Sequence, residues 1–176
     1  NIIVNKIELS IDDNQLSNDF SHYIDLGYDV HFLSVKNKTN LEKLKQSLVD
    51  RSHIFLGQSG VGKSSLINSL IPDLDLRVNE ISTKSKLGKH TTTNTTIYHI
   101  PSGGDLIDSP GIREFQLDDL TERQIVNGFR EFKSLIGKCR FRNCQHINEP
   151  NCAIKKAIES GNINSSRYES YLNILP

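Results

Sequence analysis

The spacing of apolar residues predicts a strand followed by a helix at the start of the chain. After Asn1, residues 2–4 are apolar and β-branched, as at the end of a buried strand. Phe20, Tyr23 and Ile24 then recur at near-helical spacing, and Gly27 predicts the end of that helix.

A second strand and a second helix are predicted next. Residues 28–35 alternate between apolar and polar side chains, which is typical of a strand. Asn40 is predicted to cap a helix in which Leu41, Leu44 and Leu48 lie on one face. We expect this helix to pack on the sheet.

The centre of the chain predicts a short apolar strand over 53–56, a glycine-rich loop over 57–63 and a helix over 64–70. A phosphate site requires these elements in this order. Residues 72–95 show no periodicity, and we expect a long, mobile loop of the kind usually kept for function.

The remainder predicts one hairpin and then helices alone. Strands at 96–100 and 105–107 flank a Pro-Ser-Gly-Gly turn. Apolar residues at helical spacing follow within 125–132, and further helices are predicted over 153–160 and 165–172.

Length and composition narrow the class of protein. A chain of 176 residues and 19.9 kDa suits one domain, or one domain with a small appendage. Because strands alternate with helices only in the first part, we predict an α/β domain over 1–116 and a helical domain over 117–176. The 21 basic and 21 acidic residues balance, which excludes a uniformly basic nucleic-acid coat and an acidic disordered tail.

Other features of the composition bear on location. No stretch approaches the roughly 20 apolar residues of a membrane span, so we expect a soluble, cytoplasmic protein with no membrane partner. Three cysteines, an odd number, argue against a disulfide framework and favour a reducing compartment. The chain begins at Asn1 and contains no Met, so we expect it to be part of a longer protein.

The strongest chemical signal is a phosphate-binding motif. It reads Gly57-Gln58-Ser59-Gly60-Val61-Gly62-Lys63-Ser64 and matches G-x-x-x-x-G-K-[ST] at every fixed position. In such a loop backbone N–H groups surround the phosphates, the lysine neutralises β/γ charge and the serine ligates Mg²⁺.

A second motif, Asp108-Ser109-Pro110-Gly111, follows an apolar strand. There Asp108 can hold Mg²⁺ through water, and the Gly111 N–H can sense a γ-phosphate. Together the two motifs indicate a nucleoside triphosphate and Mg²⁺.

Two further segments bear on the base. Asn5-Lys6-Ile7-Glu8 resembles the Asn-Lys-x-Asp motif by which GTPases read guanine, whose carboxylate accepts N1–H and N2–H, a pair that adenine does not present. Glu8 replaces the usual Asp and is one methylene longer. Ser34-Val35-Lys36 resembles the Ser-Ala-Lys loop that supports the base from its other side.

The order of these motifs is unusual. The guanine motif, the support loop, the phosphate loop and the Asp-x-x-Gly motif follow one another, whereas the phosphate loop comes first in an ordinary GTPase. We therefore predict a circularly permuted fold, which a sheet tolerates if the cut falls in a surface loop.

All three cysteines gather with one histidine near the end of the chain. Cys139, Cys144, His146 and Cys152 read C-x4-C-x-H-x5-C. Three thiolates and one imidazole form a closed tetrahedral Zn²⁺ shell, which suits structure rather than catalysis. The segment is poor in apolar residues, so the metal would supply its folding energy. Free buried thiols are the alternative.

These motifs together resemble one family closely, the ribosome small-subunit-dependent GTPase A family of bacteria. The resemblance is carried by residues 5–8, 57–65, 88–93 and 108–115 and by the cysteine cluster. The second of these segments ends at Ser65. It implies a circularly permuted P-loop GTPase fold with a C-terminal zinc domain. The family's N-terminal OB-fold domain, which binds RNA, has no counterpart in this chain.

The resemblance also implies a function. Members hydrolyse GTP to GDP and phosphate during late maturation of the small (30S) ribosomal subunit, which stimulates them. Two basic segments fit rRNA contacts: Arg77 to Lys89 holds four basic residues against Glu80, and Lys138 to Lys156 holds five against Glu149. We expect a monomer.

The attacking water needs a positioning residue, and Ile112 stands where many GTPases carry Gln. We hypothesise that His90 orients this water, while Thr92 reaches Mg²⁺ and the γ-phosphate; a surface histidine is the alternative. Two other function classes stay open. One is a P-loop ATPase or nucleotide kinase in which Asn-Lys-x-Glu is coincidental, and the other is a non-hydrolysing RNA-binding module.

Overall fold

The computed structural model describes residues 1–58, 60–72, 74, 96–108 and 120–175. The chain divides into two units, Asn1–Phe115 and Gln116–Pro176. Each unit has its own cluster of buried apolar residues. Among the helices in these ranges, none is both long and apolar enough to cross a membrane.

The described strands of the first unit lie in two sheets. Strands β1 (Ile2–Val4) and β2 (Val30–Phe32) pair in parallel. Strands β3 (Ser52–His53), β4 (Thr96–His99) and β5 (Asp105–Asp108) form the second sheet in the order β3-β5-β4. Strand β5 is parallel to β3 and antiparallel to β4, which confirms the predicted hairpin.

Three helices follow the strands as predicted: α1 (Asp13–Asp25), α2 (Leu41–Ser47) and α3 (Lys63–Leu70). The Asp12 carboxylate caps α1 by accepting from the backbone N–H groups of Asn14 and Gln15. Beyond the end of this helix, Gly27 has a φ of 78°, which glycine adopts without steric cost.

Two details of the prediction were wrong. The Asn40 side chain does not cap α2; its amide instead donates to the Phe32 carbonyl oxygen (2.9 Å), which ties the helix start to β2. The strand predicted over 53–56 pairs only at Ser52–His53, and Ile54 and Leu56 are 42% and 52% exposed. These positions, which pair with no strand among the described residues, lead into the phosphate loop.

The core of the first unit forms between the sheets and the helices. Its buried members are Leu33, Leu41, Leu44, Leu48, Leu66, Ile67, Leu70, Ile71, Ile100 and Leu106. The leucines of α2 therefore pack as predicted. Because α3 is anchored by three of these residues, its first turn is held in place at the end of the phosphate loop.

Within its described residues the second unit is helical. It contains α4 (Glu122–Gly128), a 3₁₀ turn (Arg130–Phe132), α5 (Ala153–Glu159) and α6 (Ser165–Ile174). The α4 start is a capping box between Thr121 and Gln124. α5 and α6 confirm the helices predicted over 153–160 and 165–172. The helical spacing within 125–132 was only partly right, because the backbone is extended at Phe129 and the chain continues as a 3₁₀ turn.

Three aromatic rings form the centre of the second unit's core. The Phe129 and Phe132 rings stack with their centroids 5.0 Å apart, and Tyr171 meets both edge-on. Phe132 and Tyr171 are completely buried. This core joins α6 to the region around α4, and both flank the cysteine segment.

Candidate nucleotide and metal sites

The phosphate loop runs directly into α3, whose first residue is Lys63. The unpaired N–H groups of a helix start therefore lie within the motif, where they favour an anion. Lys63 Nζ donates to the carbonyl oxygens of Gly57 and Gln58, the latter at 2.6 Å. Ser64 and Ser65 follow in the first turn and are half-buried.

Gly62 shows how closely the guanine motif packs on this loop. Its φ is 97°, and a Cβ added there would collide with the Asn5 side-chain amide. Both the backbone conformation and the close approach require glycine.

The Asn5 side chain bridges two predicted motifs. Its Nδ2 donates to the carbonyl oxygen of Val61 (3.1 Å), and its Oδ1 accepts from the backbone N–H of Val35 (3.3 Å). Lys6 adds a second link, because its Nζ donates to the Gly60 carbonyl oxygen (2.7 Å). The guanine motif, the support loop and the phosphate loop thus meet at one place.

Glu8 lies beside the support loop. Ser34, which is fully buried, interacts with the Glu8 side chain and lowers the pKa of that carboxyl from its ordinary 4.5, and the Glu8 backbone N–H acts in the same direction. Burial opposes this shift, and the charges of Lys36 and Lys6 support it. The carboxylate is therefore ionised at neutral pH.

One oxygen of this carboxylate is poised as an acceptor. Glu8 Oε2 is buried and has no hydrogen-bond partner in the part of the chain that the structure describes. A buried carboxylate oxygen without a donor is costly, so a ligand that supplies N–H groups would relieve that cost.

A cavity of about 680 Å³ lies beside Asn5 and the phosphate loop. Strand β1, residues 54–56 and the phosphate loop line it, and Asn5 and Lys63 are among the polar side chains at its wall. Asn5 and Lys6 therefore face the same space as the phosphate motif, whereas Glu8 is not among the lining residues.

Asp108 is the last residue of β5, which runs parallel to the strand that leads into the phosphate loop. The carboxyl ends of parallel strands meet at the same edge of a sheet, so the Asp108 backbone lies at the edge that carries the loop. Four other predicted site residues, Ser59, His90, Thr92 and Gly111, lie outside the described residues.

The structure brings the cysteine and histidine ligands together. The four candidate ligand atoms, from Cys139, Cys144, His146 and Cys152, lie within 4.8 Å of one another. His146 Nδ1 is 3.3 Å from the Cys152 sulfur and 3.5 Å from the Cys139 sulfur, which are 3.9 Å apart. Tetrahedral Zn²⁺ with bonds of about 2.3 Å to sulfur and about 2.1 Å to nitrogen requires separations of about 3.6–3.8 Å. The donor set fits zinc.

Burial sets the protonation of two of the candidate ligands. Burial lowers the pKa of His146, which keeps the imidazole neutral as a ligand must be. Burial also raises the pKa of Cys144 to about 12, so only a bound cation would make this thiol a thiolate at neutral pH.

Three side chains support the ligand loop, and sequence reasoning missed all of them. Tyr168 and Tyr171 donate their hydroxyls to the carbonyl oxygens of His146 (2.7 Å) and Gln145 (2.6 Å). The Glu149 carboxylate accepts three backbone N–H groups, from Gln145, Ile147 and Asn148.

The sequence could have indicated the two tyrosines, since they lie three residues apart on a predicted helix and so share a face. It could not have indicated Glu149, because the role of that residue depends on how the loop folds back on it. Such supporting groups orient a metal's ligands.

Comparison with known proteins identifies the family of this chain. A family model described as RsgA GTPase matches residues 1–118. A curated relative from Haemophilus influenzae (strain 86-028NP), named "Small ribosomal subunit biogenesis GTPase RsgA", is 45% identical over 176 residues, which is 99% of this chain and 51% of the relative. The chain therefore spans about half the length of the curated relatives it matches.

Two solved structures are also similar. One is the crystal structure of YjeQ from Thermotoga maritima, with a TM-score of 0.74 and 31% identity over 98% of this chain and 57% of that one. The other, titled as YloQ, a circularly permuted GTPase, has a TM-score of 0.75 and 30% identity over 98% of this chain and 54% of that one.

The fold and the arrangement of its motifs define the class as circularly permuted P-loop GTPases, as predicted. Within that class, the chain belongs to the RsgA GTPase family.

Proposed function

We propose that this chain binds GTP with Mg²⁺ and hydrolyses it to GDP and phosphate while acting on the small (30S) ribosomal subunit as an assembly or maturation factor that the subunit stimulates. The observation that carries the proposal is the double contact of Asn5 with the Val61 carbonyl oxygen and the Val35 N–H. It couples the segments that read the base to the loop that holds the phosphates.

Guanine is the base that the Asn5-Lys6-Ile7-Glu8 motif favours. The ionised Glu8 carboxylate, with its unpartnered Oε2, would accept the guanine N1–H and N2–H. Asn5, Lys6 and Ile7 complete the base motif, and the Ser34-Val35-Lys36 loop would support the ring. Adenine offers no matching pair of donors, which argues against the ATPase alternative.

Lys63 would bind the β- and γ-phosphates, and Ser64 would ligate Mg²⁺ directly, with Asp108 acting through water. The backbone from Gly57 to Ser65 would surround the phosphates, and Gly111 would sense the γ-phosphate. Of the residues that the structure does not describe, we assign Thr92 to Mg²⁺ and the γ-phosphate, and His90 to the attacking water.

The second unit would hold one structural Zn²⁺ through its three cysteines and His146. We propose a GTPase domain over 1–116 and a zinc domain over 117–176, working in the cytoplasm as a monomer. The relatives' name supports the ribosomal role, and so does the charge pattern: residues 51–100 and 137–176 are each net +3, and 1–50 and 101–136 are each net −3.

The deciding measurement is GTP turnover with and without purified small subunits, with ATP as the control. We expect turnover of GTP only, raised by the subunit. Turnover of ATP at a similar rate would establish the ATPase or kinase alternative. A chain that binds RNA but turns over neither nucleotide would establish the non-hydrolysing module.

A Glu8→Gln variant tests the base contact separately. The amide replaces one acceptor by a donor, which clashes with the guanine 2-amino group but pairs with the 2-carbonyl of xanthine. We expect weaker GTP binding and tighter binding of xanthosine triphosphate. Equal loss for both nucleotides would contradict the assignment.

The hydrolytic role of His90 needs its own variant. His90→Ala is expected to keep GTP affinity and to lose subunit-stimulated turnover, typically by about 100-fold or more for a group that positions a proton or water. Unchanged turnover would remove His90 from the mechanism.

A further inference from the structure

A second cavity, of about 690 Å³, lies at the cysteine loop of the second unit, and Cys139, Cys144 and His146 are among its lining residues. Its volume falls within the range of about 300–1,000 Å³ typical of small-ligand pockets. Helix α4 forms one wall and residues 136–149 form the other. The motifs that bind nucleotide in the first unit take no part in it.

The apolar part of this cavity is an exposed aromatic ring. Phe141 is 41% exposed, and its neighbour Ile136 in the wall is 39% exposed. The guanidinium carbon of Arg140 lies 5.6 Å from the centroid of the Phe141 ring. An accessible ring face next to a guanidinium is the arrangement on which unpaired nucleobases stack.

Basic residues lie in the cavity wall and next to it along the chain. Arg142 and Arg123 line the cavity from its two walls, and Lys138 and Arg140 precede Phe141 in the same loop. All four side chains are exposed, as phosphate contacts require.

Two acidic residues also line the cavity, and both are engaged. Glu149 accepts three backbone N–H groups at 2.7–3.1 Å, and Glu122 accepts from Gln145 Nε2 at 2.5 Å. Both carboxylates are therefore already engaged in hydrogen bonds that stabilise the loop.

The remaining polar groups suit the edge of a base. Asn127 and Asn143 present side-chain amides at the wall, and amides supply both a donor and an acceptor. Asn127 uses one N–H on the Arg123 carbonyl oxygen (2.7 Å), which fixes its orientation. The exposed aromatic ring, the side-chain amides and the basic side chains together match one nucleotide and its phosphates.

We propose that this cavity binds one unpaired nucleotide of a single-stranded RNA segment, with its base stacked on Phe141 and its flanking phosphates contacted by Lys138, Arg140 and Arg142. A duplex keeps its bases stacked and paired, so it cannot supply this ligand. The ribosomal role proposed above names the RNA that would provide the segment, but the pocket itself requires neither GTP nor hydrolysis.

The test compares binding of a short fluorescein-labelled oligo(A) and oligo(U) with binding of the duplex that they form. Phe141→Leu keeps the apolar bulk and removes the ring face, and Leu172→Ala, at an exposed position of α6, is the matched control. We expect Phe141→Leu to weaken single-strand binding by about 5- to 100-fold, Phe141→Trp to restore it, and the control to bind as the unaltered chain does.

Two further readouts separate stacking from a general effect on the loop. Zinc content, measured by mass spectrometry, should be unchanged in Phe141→Leu, because residue 141 is not a ligand. Ultraviolet cross-linking should attach the RNA to the peptide that contains Phe141. Arg142→Gln should lower the slope of log affinity against log salt by about 0.7, the value for one phosphate contact on a single strand.

Several results would overturn the proposal. These are binding of Phe141→Leu within twofold of the unaltered chain, equal affinity for the duplex, or cross-links confined to other peptides. Weaker binding to the ribosomal subunit without any change in oligonucleotide binding would indicate a protein-binding surface instead. If the subunit fails to stimulate GTP turnover, the proposed ribosomal role is wrong. The oligonucleotide measurements still decide whether the cavity binds an unpaired nucleotide.

Discussion

The side-chain amide of Asn5 donates to the carbonyl oxygen of Val61 over 3.1 Å, across 56 residues of sequence. This bond joins the segment proposed to read the base to the loop proposed to hold the phosphates. A nucleotide that occupies both segments therefore meets a spacing already set by the protein. Such preorganisation improves affinity because less ordering remains to be done on binding.

Removing this link should weaken nucleotide binding. Asn5→Ala loses the bonds to Val61 and Val35, each worth about 1 kcal/mol, so we expect affinity for both GTP and GDP to fall about tenfold or more. Fluorescent-nucleotide titration measures this effect, and Asn18→Ala on the exposed face of α1 is the control. Equal affinity in the two variants would show that the bridge does not position the ligand.

The acid sensitivity of the base site should depend on Ser34. The pKa of Glu8 lies below its ordinary 4.5 in the folded chain, so the stabilisation from its ionised form is complete above that value. It is lost as the pH falls through the lowered folded pKa. Ser34→Ala removes the largest cause of the shift, so its loss of stability and of GTP binding should begin at a higher pH.

The Ser34 prediction can be checked by following the Glu8 carboxyl carbon by NMR during an acid titration of each variant. Ser21→Ala, which removes an exposed serine hydroxyl from α1, is the control and should titrate as the unaltered chain does. A Glu8 pKa that stays in place in Ser34→Ala would contradict the assigned cause.

The fold of the second unit should depend on its metal. His146→Ala removes one ligand, so we expect zinc to be lost and the circular dichroism of α4 to α6 to weaken, because metal binding supplies folding energy in such sites. Elemental analysis and far-ultraviolet spectra measure both effects. GTP binding by the first unit should persist.

His99→Ala is the matched control for the zinc experiment. His99 is 87% exposed and contacts Asp105 at 2.6 Å on the surface of the hairpin. An exposed pair of this kind contributes about 0–1 kcal/mol, so the variant should keep its zinc and its spectrum. Full zinc occupancy in His146→Ala would rule out His146 as a ligand.

A buried ion pair should stabilise the second unit. Arg167 Nε lies 2.7 Å from Glu131 Oε1, with side-chain exposures of only 14% and 6%, and the Arg167 guanidinium also lies 4.8 Å from the Phe129 ring centroid. Arg167→Met leaves the Glu131 charge buried without its partner, which should cost about 3–5 kcal/mol in the free energy of unfolding.

Urea unfolding of the zinc-loaded chain tests the ion pair. Lys133→Met, at an exposed position near the pair, is the control and should change the free energy of unfolding by less than about 0.5 kcal/mol. Adding Glu131→Leu to Arg167→Met should recover much of the loss, because the uncompensated charge is then gone. A double variant as unstable as the single one would show that the loss comes from packing on Phe129 instead.

Much of the fold could be predicted because it depends on local pattern. The leucines of α2, the turn of the β4–β5 hairpin and the helix after the phosphate loop each follow from local pattern, and all are found where expected. The strand over 53–56 could not be predicted correctly, since its length depends on which neighbouring strand reaches it. The prediction for Asn40 was wrong for a similar reason. An asparagine before a helix usually caps it with its side chain, but here the side-chain amide donates to a strand carbonyl instead.

The sequence by itself determined the candidate chemistry of this protein: the phosphate motif around Lys63, the order of motifs that signals permutation, and the ligand types of the cysteine and histidine cluster. Most of that information lies in fixed spacings within short segments, because the residues of each motif are neighbours along the chain. Only the tertiary structure decided that Asn5 contacts Val61, that Ser34 lowers the pKa of Glu8, and that Tyr168 and Tyr171 hold the metal loop. These contacts join residues 22 to 56 positions apart, and such pairs meet only when the cores beneath them have packed.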